Sequence, residues 1–216
     1  MCWSATADLV AGGAITAVGA GCVARAARTR PRAVPLAALP LLLGAHQIIE
    51  AVIWNDGGGS GPAVVAWAVI ALPLLPVWVP AGVWCAVTPH ARRRLFVPLA
   101  AGVVTAGVLG YVLATSTVTA EVRGHTMGYA IGLPGAGWLL AGYLLATIGS
   151  LLLSGERGLV LLGILAAVGA AVCAALWRWE FISTWCAGAA LCSAVLFGWL
   201  RSPSPSGADR SGAGGA

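Results

Sequence analysis

The chain is poor in charge. Charged residues make up 9% of its 216 positions, lysine is absent, and tyrosine and phenylalanine occur three times each. A water-soluble domain carries about 25% charged residues. At 9% a chain cannot cover a water-exposed globule, which excludes a soluble enzyme, a nucleic-acid-binding domain and a disordered protein. Several chemistries are missing with the charge. There is no phosphate cradle, no dinucleotide fingerprint and no serine nucleophile elbow. The DDxxD and DxDD signatures of soluble terpene cyclases are absent too, which disfavours diphosphate ionisation on a magnesium cluster.

What remains is apolar: 59% of residues. A membrane-crossing helix needs roughly 20 apolar residues. Seven stretches qualify, at about 6–24, 33–54, 62–86, 95–115, 126–153, 158–176 and 181–200. The runs are continuous rather than alternating, so helices are expected and not a barrel. The fold expected is an all-α polytopic membrane protein with seven transmembrane helices over residues 1–200. A flexible, Ser-, Pro- and Gly-rich tail follows over 201–216. Pro62, Pro73, Pro76 and Pro80 predict a kinked or broken third span, and Pro134 a bent start to the fifth. The first span lacks a basic n-region, so it is read as a span and not a signal peptide. No internal repeat is visible.

All twelve basic residues are arginines. Arg25, Arg28, Arg30, Arg32, Arg92, Arg93, Arg94, Arg157, Arg201 and Arg210 fall on one side of the expected bundle, and Arg123 and Arg178 on the other. The positive-inside rule then expects a cytoplasmic C-terminus, an outside N-terminus and a multi-pass protein of the cell membrane. The net charge of +5 thus reports orientation and not a nucleic-acid partner.

The acids show the opposite bias. Asp8, Glu50, Asp56, Glu121 and Glu180 lie toward the outer side. So do Trp3, Trp54, Trp67, Trp138, Trp177, Trp179 and Trp185. An interfacial aromatic belt would occupy both faces; the asymmetry also fits an aromatic-lined pocket. Glu50 is the acid placed clearly within a span, about one turn from its outer end, in HQIIEAVIW. Acids at such depth face a protein interior or a wet cavity. His46, Glu50 and Trp54 share one helical face, with Gln47 beside it. Low dielectric favours a neutral acid there, and a neutral carboxylic acid can donate a proton. The plainer reading is a helix–helix hydrogen bond.

His125 and Tyr129, four apart in the expected fifth helix, are placed in the same cavity or as interfacial anchors. Glu180, in WEFISTWC, is a second cavity acid or a loop acid beside Arg178. Asp8 sits where the partial charge of a helix N-terminus favours an acid. Of six cysteines, Cys2, Cys173 and Cys186 fall toward the outer end; a Cys2–Cys186 pair is compatible with that, but sequence does not pair them. Cys2, His46, Glu50, His125 and Cys186 include metal-ligand types, yet no spacing motif joins them, so no metal is assigned.

The opening MCWSATADL, the block PLLLGAHQIIEAVIW, the stretch HTMGYAIG and the late FISTWCAGAALCS resemble a group of small bacterial seven-span proteins. That group opens Met-Cys-Phe-Ser and carries Gln-Gln-x-x-Glu-Gly-x-x-Trp in the second span. Here Trp3 stands for the Phe, His46 for the first Gln and Ala51 for the Gly. Size, span number and the second-span Glu also resemble the integral-membrane terpene cyclases, such as the actinomycete cyclases of indole sesquiterpenoids (xiamycin and drimentine type). The resemblance implies that Glu50 protonates a terminal epoxide or alkene of a farnesylated aromatic. His46 and Gln47 would orient the acid, and Glu180 or His125 would take the final proton. Trp3, Trp54, Tyr129 and Trp185 would stabilise carbocations, at roughly 2 kcal/mol or more each when desolvated. It implies no cofactor. It does imply a lipophilic prenylated substrate drawn from membrane lipid, with a prenyltransferase and an epoxidase as functional partners. Two other readings fit the residues: a transporter or scaffold with an outward polar pocket, and a metal-dependent membrane hydrolase using His46, Glu50, His125 and Cys2.

Overall fold

The computed structural model describes residues 4–124, 126–133, 135–176 and 186–201. Among them are seven helical segments: α1 (Ala5–Thr29), α2 (Pro31–Asn55), α3 (Pro62–Ala86), α4 (Pro89–Thr115), α5 (Ala136–Leu152), α6 (Arg157–Leu176) and α7 (Cys186–Arg201). Five of these, α1 to α4 and α6, are long and apolar enough to cross a membrane. The expectation of seven such helices is therefore met for five. The expected seventh run began at 181, but residues 177–185 lie outside the described ones.

The expected fifth helix is corrected. Its first residues form no helix but a strand. Strands β1 (Thr119–Arg123) and β2 (Thr126–Ala130) pair antiparallel, with Ala120 opposite Tyr129 and Arg123 opposite Thr126. The fold is thus helical with a small two-stranded sheet, not all-α. The cause is local. Thr117, Val118, Thr119 and Val122 are β-branched and favour extended backbone. Gly124 supplies the left-handed turn conformation at φ 63°. The helix starts only at Ala136, past Gly132 and Gly135.

The prolines of α3 bend the hydrogen-bond pattern without breaking the helix. Pro62 takes the first turn, where its missing N–H is harmless. Around Pro73 the chain widens into a π turn over Ile70–Leu74, and the Leu75 N–H reaches back to the Ile70 carbonyl. The next rung of that pattern would need an N–H on Pro76, which has none. The Tyr143 hydroxyl supplies it instead, donating to the Ala71 carbonyl at 2.7 Å. One aromatic side chain thereby joins α5 to the π turn.

Asp8, Ala11, Gly12, Ile15, Gly19, Cys22 and Ala26 form the buried stripe of α1 at helical spacing. It packs on α2 so closely that a Cβ on Gly44 would run into the Thr16 hydroxyl and lie 2.9 Å from the Gly12 carbonyl oxygen. Small residues permit this approach in membrane helices generally. The α1 N-terminus is capped by Ser4, whose Oγ accepts from the Ala7 N–H at 3.2 Å, and not by Asp8. Asp8 is fully buried in the first turn.

The arginine-bearing ends meet. Arg25 Nε donates to the Leu200 carbonyl at 3.0 Å, and the Arg30 guanidinium lies 4.8 Å from the Trp199 ring centroid. Leu36, Val83, Leu95, Leu159 and Leu196 form the core at this end. At the other end Ile53, Val64, Trp67, Leu109 and Met127 form a second core beneath the hairpin.

Gly44→Ala is expected to loosen the α1–α2 contact by about 1–3 kcal/mol, the usual penalty for overpacking. Gly13→Ala, which meets no atom within 4 Å, should leave stability unchanged. Thermal unfolding of both variants in detergent checks the contrast.

Candidate functional site

Glu50 is fully buried on α2, and three donors from three elements surround its carboxyl group. Gln47 Nε2, one turn earlier on α2, donates to Oε2 at 3.3 Å. Trp67 Nε1 on α3 donates to the same oxygen at 3.4 Å. The Tyr129 hydroxyl on β2 donates to Oε1 at 3.3 Å. The amide and indole N–H groups can only donate, whereas a hydroxyl can also accept. Oε2 therefore accepts from two donors, and Oε1 meets a hydroxyl that can also accept.

The rings form a wall around the acid. Trp67 stacks on Tyr129 with centroids 3.5 Å apart and planes 9° from parallel. On the other side of Trp67, His46 lies 4.9 Å away at 35°. Tyr129 arrives by strand geometry and not by the helical i, i+4 spacing expected with His125. The hairpin is held in turn by the loop after α2. Gly59 and Ala120 exchange both backbone hydrogen bonds at 2.8 Å. Gly57, Gly58 and Gly59 all have positive φ, and a side chain on Gly58 would strike the Ala120 carbonyl.

A cavity of about 290 Å³ opens beside this cluster. Leu39 and Leu43 of α2, Leu72, Leu75 and Val79 of α3, Leu139, Leu140 and Leu144 of α5, and Leu162 of α6 make it overwhelmingly aliphatic. His46 and Gln47 line it as well, so the cavity and the Glu50 cluster share two side chains. Tyr143, Thr147 and Cys192 also line it. His46 Nε2 and Gln47 Oε1 are buried and have no hydrogen-bond partner among the described residues. Tyr129 also lines a polar depression on the hairpin, beside Thr117, Thr119 and Arg123.

Four of the expected site residues, His46, Gln47, Glu50 and Tyr129, thus come together. Trp54 packs against the core beneath the hairpin, and its buried Nε1 has no partner among the described residues. Trp3, His125, Glu180 and Trp185 lie outside the described residues, as does Cys2. Among the described residues, no three His, Cys, Asp or Glu side chains converge as metal ligands would. The sequence reading missed Trp67, which appeared there only as an outer-side tryptophan. Its signal was its place one turn into the third span, level with Glu50 near the end of the second. Tyr143 was also missed; no spacing ties it to Ala71.

A family model matches residues 1–211, nearly the whole chain. The chain belongs to DUF6629, a family of unknown function. No curated protein and no solved structure matches it. In this DUF6629 chain the polar chemistry collects in the Glu50 cluster and its cavity.

Glu50→Leu removes the acceptor from three donors at once. An unsatisfied buried donor costs about 1–3 kcal/mol, so a loss of roughly 3 kcal/mol or more is expected. Glu50→Gln keeps one acceptor oxygen and should lose less. Detergent melting curves of the two variants against wild type test the order.

Proposed function

We propose that the protein is a proton-initiated terpene cyclase of the membrane, acting on a farnesylated aromatic such as an indole in secondary-metabolite biosynthesis. The observation that carries this reading is the buried Glu50 cluster at one polar edge of an otherwise aliphatic cavity. Such a cavity suits a prenyl chain, which offers no hydrogen bonds along its length. A dry wall also protects a carbocation from water. In this reading all seven helical segments cross the cell membrane, with the arginine-bearing end in the cytoplasm.

Glu50 is the acid. Protonation of a terminal epoxide or alkene leaves a carbocation, and successive alkene attacks close the rings. Loss of a proton from carbon ends the sequence, so the net change is an isomerisation. His46, lining the cavity, or Glu180 accepts that last proton. Gln47 bonds Glu50 and lines the cavity, and so keeps the acid oriented beside the substrate. Tyr129 touches Glu50 on one side and the polar depression on the other. It returns a proton to Oε1 between turnovers. Trp67 and Tyr129, stacked beside the acid, offer π faces to positive charge. The roles of Trp3, Trp54, His125 and Trp185 toward the substrate rest on the family resemblance alone.

One observation favours a second reading. Gln47, Trp67 and Tyr129 already satisfy the Glu50 oxygens, as in a hydrogen-bonded helix clamp, and the cavity would then hold a lipid in a non-enzymatic scaffold.

The deciding experiment feeds a farnesylated indole and its terminal epoxide to cells expressing the full chain, with products analysed by mass spectrometry and NMR. Wild type should yield a cyclised isomer. Glu50→Gln should lower the yield by about a hundredfold or more, the scale of a lost general acid. No isomer from wild type sinks the cyclase reading and leaves the scaffold. Full activity in Glu50→Gln removes Glu50 from the acid's role.

A further inference from the structure

The orientation of one amide constrains what the cavity accepts. Gln47 Nε2 faces Glu50 Oε2, which the Trp67 indole N–H also approaches. A flipped amide would set Gln47 Oε1 against that oxygen, acceptor against acceptor. In the orientation observed, Oε2 accepts from both the amide and the indole N–H. The amide oxygen is therefore turned away from the acid. It is buried, has no partner among the described residues, and belongs to a side chain that lines the cavity. Gln47 as a whole is 1% exposed, so bulk water does not reach it.

Most of the cavity wall nearby is leucine. A bridging water needs two to four polar partners, and of the side chains lining the cavity only His46 and Gln47 have a buried, unpartnered polar atom among the described residues. A hydroxyl at the end of a lipophilic molecule suits this corner better. It donates to Gln47 Oε1, offers a lone pair toward His46, and brings its own apolar chain to fill the aliphatic space.

We propose that Gln47 determines ligand specificity. Its Oε1 accepts a hydrogen bond from a hydroxyl carried by the end of the lipophilic ligand that lies beside Glu50. This rests on the reading of the cavity as the substrate site and sharpens it. When an epoxide opens, the proton from Glu50 goes to the epoxide oxygen, the C–O bond to the tertiary carbon breaks, and the oxygen stays on the neighbouring carbon as a hydroxyl. Gln47 Oε1 then gains a donor that the substrate lacked. The contact is stronger after proton transfer than before it, which is the condition for a residue to assist the step and not merely bind. An alkene start leaves no such group.

The test uses the purified full chain in lipid nanodiscs, with farnesol and farnesyl methyl ether added at equal mole fractions in the lipid. The ether keeps the chain and the oxygen and loses only the donor. Binding is read from the shift in melting temperature and from quenching of tryptophan fluorescence. Wild type is expected to bind the alcohol about tenfold more tightly than the ether. In Gln47→Met the preference should fall to within about twofold. Equal binding of alcohol and ether by wild type overturns the role of Gln47 and leaves the cavity reading standing. A preference that survives in Gln47→Met also overturns it. Binding of neither molecule removes the inference and the substrate cavity together. Equal binding by wild type overturns the inference even where the variant fails to fold.

Discussion

An acid fully buried in an apolar bundle has no water to turn to, so its hydrogen bonds must come from the protein. Glu50 finds them on its own helix, on the next helix and on a strand. Much of the local architecture follows. Trp67 must be fully buried to reach the carboxyl group, and Tyr129 must arrive edge-on from the hairpin while lying flat against Trp67. The hairpin must in turn be held in place, and the glycine loop after α2 holds it through the Gly59–Ala120 pair. The carboxyl oxygens are satisfied in this way, whereas Gln47 Oε1 and His46 Nε2 are left without partners among the described residues.

The same rule explains the region around Pro73. Lipid-facing backbone cannot leave a carbonyl bare, yet two prolines in succession, Pro73 and Pro76, remove donors from α3. The helix answers with a π turn and borrows the Tyr143 hydroxyl. Tyr143 also lines the cavity, as does Ala71, whose carbonyl it caps. The repair of a helix defect and the shaping of the aliphatic space are therefore done by the same residues.

The apolar runs were legible in the sequence because membrane helices announce themselves by length and composition, and α1, α2, α3, α4 and α6 match their runs to within a few residues except where α4 extends back through the arginines to Pro89. His46, Gln47 and Glu50 were legible because a helix of period 3.6 puts them on adjoining faces. Tyr129 was selected for the wrong reason: hydropathy alone does not separate Thr126–Ala130 from a helix start. The alternating Val118, Ala120 and Val122, followed by Gly124, carried the strand signal, and the longer apolar run beyond it masked that signal. Trp67 and Tyr143 depend on how α3 and α5 rotate against their neighbours, which packing decides and sequence spacing does not.

The Tyr129–Glu50 bond spans 79 positions of the chain. A chain that enters the membrane from its N-terminus places Glu50 in the bilayer together with Gln47, and Trp67 follows within one further helix. Tyr129 comes only after the whole of α4 has been made. The Tyr129 hydroxyl can therefore reach Oε1 only after the donors of α2 and α3 are already in the chain. The order of synthesis leaves the cavity corner accessible until the bundle beyond α4 is assembled around it.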